Sequence, residues 1–505
     1  MATSKRISLA ILSLLLILGL CPTTASAAVE LEAGGGSLTE GTGNLTGTQV
    51  YFGSFNGSPI LWNVVATDGG TTATLWTTTS MGNRQYDPSN HNNWSGSAIC
   101  AWLNGTGSGQ FLEGFSSAEQ DALTNYGTTE QGNPAIGDTT LIDISQKIVL
   151  PSVTEIGEDT TTGTWNIDET ARPLGMYWWL RSPGIYSGYA AGGAPDGSVT
   201  AFGSWVTFLD AIFPACKLDL SSVIFTSAAS GASTKSAATV GGGLIDATSP
   251  TSPGPVKITL EDANLNTFTS TTTDAGTVRA GDNVTLNYSG AATGANNFVS
   301  CVIEDSSGIV LYYGKLATGS AAGVASFIVP AAADLPTGSY TIQLFCEQAN
   351  TDNYTDYCST PIAIPLNVDN TAPVLTVGAV DRTNETNATV KFRSDEAGTF
   401  YWQLDGAAPT AASLAGAGTN ATPLTTAEQT ISFFTLTAGA HTIYIVATDD
   451  LGNISNLLTI TIPAYTPEIP PTGDANLLVL LATMMLLLLG TVFVSSGQRL
   501  HRPKE

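Results

Sequence analysis

The alternation of apolar and polar positions predicts a chain made mainly of strands. Strand-like segments occupy residues 49–52, 59–66 and 71–79. Asn56-Gly57 and Asp68-Gly69-Gly70 stand between them as tight turns, because both central positions of a two-residue hairpin loop favour positive φ. A meander is expected. The period then lengthens: residues 95–104 place Ile99, Trp102 and Leu103 on one helical face, and residues 116–126 open with Ser116 and Glu119 spaced as a capping box. Strand patterns return at 147–151, 176–181, 198–202 and 213–218. Mixed α+β architecture with long loops is therefore the expectation for residues 28–225.

Residues 226–255 are mostly Ala, Ser, Thr, Gly and Pro and predict a flexible linker. Beyond them, short strands recur at 284–288, 298–303, 309–313, 324–329, 340–346 and 362–368, and again at 389–392, 400–404, 429–434, 441–447 and 457–462. Strands of this length and spacing predict two immunoglobulin-like sandwiches, at 256–369 and 370–464. The second is similar to bacterial Ig-like surface modules in Ala372-Pro373 and in the stretch 449–455. The turn at 449–453 reads as a tight hairpin rather than a calcium loop.

The two ends have a different pattern. Lys5 and Arg6 precede an apolar segment, 7–20, and Ala25-Ser26-Ala27 supplies the small residues of a signal-peptidase site, so residues 1–27 read as a signal peptide. Cys21 would leave with it. Near the other end an uncharged run, 477–494, is followed by Arg499, His501, Arg502 and Lys504, which predicts a transmembrane helix with a cytoplasmic basic tail in residues 465–505. Ile469, Pro470, Pro471, Thr472 and Gly473 stand just before the run. This order of parts resembles the LPxTG sorting signal of Gram-positive surface proteins, with Ile in place of the usual Leu. The resemblance implies that a sortase is a partner, cutting between Thr472 and Gly473 and joining the Thr472 carboxyl to peptidoglycan at the cell wall.

Composition sharpens this picture. The 505 residues carry 17 Lys+Arg against 42 Asp+Glu, a formal net charge of −25, which argues against nucleic acid and anionic membrane surfaces as partners. Eight of the nine tryptophans lie within residues 28–225, making that region the expected site of recognition. Exposed Trp and Tyr rings can accept the C–H face of a sugar, although most such rings fill cores. Trp178 and Trp179 are adjacent, so on a half-buried strand one would point outward. Trp94, Trp178, Trp179, Arg181 and Trp205 are the candidate ligand-binding residues. Arg181, alone among apolar neighbours, is also expected to need a carboxylate such as Glu155 or Asp210.

The segments Trp94-Ser95, Ala101-Trp102-Leu103-Asn104, Lys147 to Glu155, Tyr177-Trp178-Trp179-Leu180-Arg181-Ser182-Pro183 and Phe213-Pro214-Ala215 resemble the DUF6273 family. That resemblance implies a C-type-lectin-like or sulfatase-modifying-factor-like scaffold on a bacterial surface protein. It implies no particular chemistry. The Glu-Pro-Asn and Trp-Asn-Asp triplets of calcium-dependent lectins are missing.

No catalytic constellation stands out. His91 with Cys100 would be a nucleophile pair only if the thiol were activated. Glu155, Glu158 and Asp159 read as a solvated acidic loop rather than a calcium site, since the Asp-x-Asp-x-Asp-Gly spacing is missing. No cofactor is expected. Outside the cell, Cys346 and Cys358 are expected to pair across a hairpin, with Cys100 and Cys216 as a second pair and Cys301 left over. The expected function is a non-enzymatic, wall-attached, adhesin-like protein presenting a glycan- or protein-binding head on Ig-like spacers. A surface hydrolase and a structural surface component are the alternatives.

Overall fold

The structure is a computed structural model and describes residues 28–158, 163–250 and 254–467. One compact unit runs to Asn370 and a second begins at Thr371.

The first unit is dominated by strands. The meander forms as expected: strand Gln49–Phe55 pairs with Ser58–Thr67, which pairs with Thr72–Trp76. Asn56 (φ 51°) and Gly57 (φ 77°) make the hairpin turn, both in the left-handed region that such a loop requires. The two expected helices exist but are short. Ala98–Leu103 has six residues and Ser117–Asp121 five, the latter closed by the Ser116/Glu119 capping box. The second helix stops early because Leu123–Thr124 pairs as a strand with Ala215–Asp219. A third helix, Val153–Ile156, is one turn long.

These short turns overturn the α+β, C-type-lectin-like description of residues 28–225. What the chain builds is nearly all β. A five-stranded sheet, in the order Val199–Trp205, Tyr189–Gly193, Trp178–Pro183, Asp210–Ala211, Asn83–Arg84, packs with the meander around a core rich in tryptophan.

Residues 226–255 are no simple linker either. Strand Val223–Ala228 pairs antiparallel with Val29–Ala33 and with Pro255–Glu261. Ile245–Thr248 pairs parallel with Val29–Ala33 and antiparallel with Val310–Thr318. Pro255–Glu261, expected to open the first Ig-like module, pairs parallel with Gln49–Phe55. One hydrogen-bonded sheet thus runs without a break from Ile362–Val368, through Gly338–Gln348, Asn297–Glu304 and Val310–Thr318, to the meander. The six strands expected between 284 and 368 all form, each within a few residues of its expected bounds. Their core, which includes Leu286, Val299, Ile342 and Leu366, lies between this sheet and a small one containing Asn283–Ser289 and Ala322–Ile328. The two halves of the first unit are therefore joined by backbone pairing.

The second unit is a two-sheet sandwich. Leu375–Arg382, Ala388–Ser394 and Gln429–Phe433 form one sheet; Thr422–Leu424, Gly398–Leu404, His441–Thr448 and Leu458–Ile462 form the other. Val390, Phe392, Phe400, Ile443, Ile445 and Ile462 fill the space between them.

Among the described residues no helix is long and apolar enough to cross a membrane. The signal peptide, the Ile469–Gly473 pentapeptide and the apolar run 477–494 lie outside the described residues.

All five described cysteines are buried and free, in place of the expected disulfides. Register explains the failure of the Cys346–Cys358 pair. Glu347, not Cys346, stands opposite Cys358. Successive side chains alternate across a sheet, so the two thiols face opposite cores, one with Leu344 and Ile364 and the other with Phe225 and Phe345. Cys100 sits on a helix and Cys216 on strand Ala215–Asp219, both packed into the head core.

Candidate functional site

The candidate residues separate into a buried group and an exposed one. Trp94, Trp178, Trp179 and Arg181 are at most 1% exposed, so none of the four can present itself to a ligand, contrary to expectation. Trp178 and Trp179 are both inside because strand Trp178–Pro183 lies between two packed layers rather than on a half-exposed sheet. Trp178 packs on Trp76 and Phe213. Trp179 packs edge-on against Tyr86 and donates its Nε1–H to the Arg84 carbonyl at 2.8 Å. Trp94 donates to Gln146 Oε1 at 3.0 Å.

Arg181 has a structural role of the kind its surroundings demand. Its Nε and Nη2 each lie 2.6 Å from a Glu130 carboxylate oxygen, a bidentate pair. Nη1 donates to Glu155 Oε2 and to the Leu150 carbonyl, both at 2.6 Å. Tyr126 donates its hydroxyl to Glu155 Oε1 at 2.6 Å, and its ring lies 5.1 Å from the guanidinium. Although burial opposes the cation, Glu155 and Glu130 hold the guanidinium firmly charged. Glu155 also closes the capping box of helix Val153–Ile156. It is thus buried and engaged by Arg181, Tyr126 and Ser152, and does not belong to the solvated acidic loop expected of it. Asp159 lies outside the described residues, and among those described no cluster of His, Cys, Asp or Glu could hold a metal ion. His91 is on an exposed loop while Cys100 is buried, and burial pushes the Cys100 thiol up to about 12, away from the thiolate a nucleophile needs.

Trp205 differs from the other four. At 47% exposure it ends the edge strand of the five-stranded sheet, and its ring lies 4.6 Å from that of Tyr189. Tyr189 in turn meets Tyr186, 64% exposed, at 5.3 Å. Three rings in contact make an aromatic platform. Phe202, Phe208 and Leu209, from the same strand and the turn after it, are also exposed. The platform has a rigid base. Trp205 pairs in register with Tyr189, the Val206 N–H donates to the Gly188 carbonyl, and Asn92 donates its amide to the Tyr186 carbonyl at 3.0 Å. A Cβ at Gly188 would stand 2.5 Å from Asn90 Oδ1, so the tyrosine loop passes close to the Asn-rich loop, and a larger residue there would displace the Asn90 side chain. Tyr186 and Tyr189 escaped the sequence reading. The available signal was Tyr-Ser-Gly-Tyr, two rings flanking a Gly-containing turn that begins five residues past Arg181.

Residues 70–220 match the model of a domain of unknown function, DUF6273, which covers the aromatic part of the first unit. No curated protein matches the chain. Among solved structures, the fibronectin(III)-like modules of Clostridium thermocellum CbhA are similar at 13% identity and a TM-score of 0.19, over 39% of this chain and 93% of that one. The FN1–FN3 domains of chicken CNTN1 are similar at 11% identity and a TM-score of 0.23, over 53% and 82%. The BSP domain of a biofilm-associated protein is similar at 14% identity and a TM-score of 0.15, over 41% and 31%.

Proposed function

We propose that the chain is a bacterial surface protein of adhesin-like character that takes a carbohydrate onto the Tyr186–Tyr189–Trp205 platform. The observation that carries this reading is the contact of two exposed rings, Tyr186 and Trp205, through the half-buried Tyr189 on a sheet edge, in a domain where the other seven tryptophans are buried. Large aromatics left in water at one place cost hydration free energy and mark contact sites. Pyranose C–H faces stack on such rings, while tyrosine hydroxyls and amides such as that of Asn92 serve sugar hydroxyls. The acidic surface fits an uncharged ligand better than an anionic one. Attachment would run through Thr472, joined by a sortase to peptidoglycan of a Gram-positive wall, and the Ig-like regions would act as spacers.

A glycan array probed with the full chain and with Trp205→Ala tests the ligand. Binding should fall at least about tenfold in the variant, since a hot-spot aromatic is worth about 2 kcal/mol or more and 1.4 kcal/mol is about tenfold, with the unfolding midpoint unchanged. No glycan bound by the parent, or equal binding by both, overturns the carbohydrate reading. For the anchor, muramidase-released wall fragments should yield a peptide ending at Thr472 on a peptidoglycan amine; a peptide running on through Gly473 would refute it.

A further inference from the structure

A second polar cluster lies in the first unit, far along the chain from the platform and sealed from water. Lys235, in a single 3-10 turn of the Ala/Ser/Thr/Gly-rich stretch, has a side chain only 1% exposed. Its Nζ is 2.6 Å from Glu347 Oε2 and 3.1 Å from Asp356 Oδ2, and it donates to Thr259 Oγ1 at 3.2 Å. Both carboxylate side chains are 0% exposed. The other Asp356 oxygen, Oδ1, accepts from Lys257 Nζ at 2.9 Å and from the Asn350 N–H at 2.7 Å. Glu347 Oε1 accepts from Ser300 Oγ at 2.6 Å and from the Tyr313 hydroxyl. The Tyr313 ring lies 5.6 Å from Lys235 Nζ and belongs to an apolar cluster with Phe225 and Phe345.

Burying four charges costs several kcal/mol per ion before any pairing, and two ordinary ion pairs would not require this order of groups. The order is that of a condensation site. An amine stands in direct contact with one carboxyl, 3.1 Å from its Oδ2, a second carboxyl touches the amine, and two N–H donors grip the far oxygen of the first. We infer that Lys235 and Asp356 form an intramolecular amide cross-link, with Glu347 as the proton carrier.

The step balances without any co-reactant. Glu347 takes a proton from the Lys235 ammonium, and the freed amine attacks Asp356 Cγ. Negative charge develops on Oδ1 against Lys257 Nζ and the Asn350 N–H. Glu347 delivers the proton to Oδ2, a second ammonium proton follows, and Oδ2 leaves as water. One N–H stays on the new amide and Glu347 ends as a carboxylate, so ammonium plus carboxylate becomes amide plus water. Lys257 also touches Asp356, yet its remaining contact is the Asn350 carbonyl, and the proton-accepting Glu347 pairs with Lys235. Exclusion of water then protects the amide from hydrolysis. The bond would tie positions 121 residues apart, fastening the former linker to the late strands of the same sheet.

Peptide mapping of the full chain by mass spectrometry, after denaturation and trypsin, tests the inference. Expected is a branched peptide containing Lys235 and Asp356, lighter than the sum of its linear parts by one water, with no cleavage after Lys235. Glu347→Gln and Asp356→Ala should each release both peptides in linear form. Because the parent chain is itself the main test, misfolding of a variant cannot mask the answer. Recovery of linear Lys235 and Asp356 peptides from the parent overturns the proposal, as does a branch joined at Lys257. A folded Glu347→Gln protein that is fully cross-linked removes Glu347 from the mechanism.

Discussion

Glu155 Oε2 lies 2.6 Å from Arg181 Nη1, and Glu155 Oε1 accepts the Tyr126 hydroxyl at the same distance, so one carboxylate ties strand Trp178–Pro183 to the segment just before the hairpin of strands Thr128–Asn133 and Asp138–Ile144. Removing it would leave a buried guanidinium with Glu130 as its one carboxylate partner, beside the Leu150 carbonyl. Glu155→Ala is expected to destabilise the first unit by about 3 kcal/mol or more, read as a lower denaturation midpoint at unchanged slope. A midpoint equal to that of the parent would show that Glu130 suffices.

Strand Tyr189–Gly193 approaches Trp178 so closely that a Cβ on Gly193 would stand 1.9 Å from the indole Cε2. The tryptophan cannot yield, being packed on Trp76 and Phe213. Gly193→Ala should therefore cost about 2 kcal/mol or more, the upper range for forced overpacking. Near-ultraviolet dichroism of the tryptophan core, followed through thermal unfolding, would register the loss; an unshifted transition would refute the packing argument.

The two classes of tryptophan should respond in opposite ways. Trp179→Ala empties a fully buried site and should lower stability by roughly 3–5 kcal/mol. Trp205→Ala should leave stability within about 0.5 kcal/mol, as exposed substitutions do, and affect binding alone. If Trp205→Ala instead unfolds the protein, the ring is structural and the platform is no binding site.

In the second unit, Asp405 holds the end of strand His441–Thr448, its Oδ2 2.6 Å from His441 Nδ1 and its Oδ1 accepting the Thr442 N–H at 2.9 Å. The His441 hydrogen bond first, and then that of Thr442, keep its carboxyl below the ordinary carboxylate value. A depressed folded value stabilises the fold above the unfolded value and loses that contribution as pH falls through the folded one. The stability advantage of the parent over Asp405→Asn should accordingly be full at neutral pH and shrink once pH drops below about 4. Asn is the right replacement because it tolerates the left-handed backbone of Asp405, φ 57°. A difference constant down to low pH would contradict the assignment.

Local signals in the sequence found the locally determined parts of the fold. Asn56-Gly57 marked a hairpin, Ser116 with Glu119 marked a helix start, and alternating runs marked most strands of the two Ig-like regions, though not Pro255–Glu261 or Leu375–Arg382. Arg181 advertised its need for a carboxylate, and Glu155 met it. What stayed hidden depends on partners distant in sequence. Pro255–Glu261 pairs in parallel with Gln49–Phe55 across about two hundred residues, and no turn motif announces such a pairing. Thr226 and Ser227 are fully buried although their composition suggested a solvated tether, and Lys235 is enclosed for the same reason. Exposure was the least legible quantity of all: periodicity could not reveal that strand Trp178–Pro183 has protein on both faces, so only Trp205 of the candidate ligand-binding residues lies at the surface.

The interleaved sheet also sets an order of events for a chain made from its N-terminus onward. Strand Gln49–Phe55 emerges early, but one of its edges stays open until Pro255–Glu261 follows, and that strand in turn awaits Asp356–Cys358. The aromatic head cannot finish folding as an independent first domain. Until Pro255–Glu261 has been made, some two hundred residues later, Gln49–Phe55 must keep an unpaired edge, which is where a chaperone would have to stand guard.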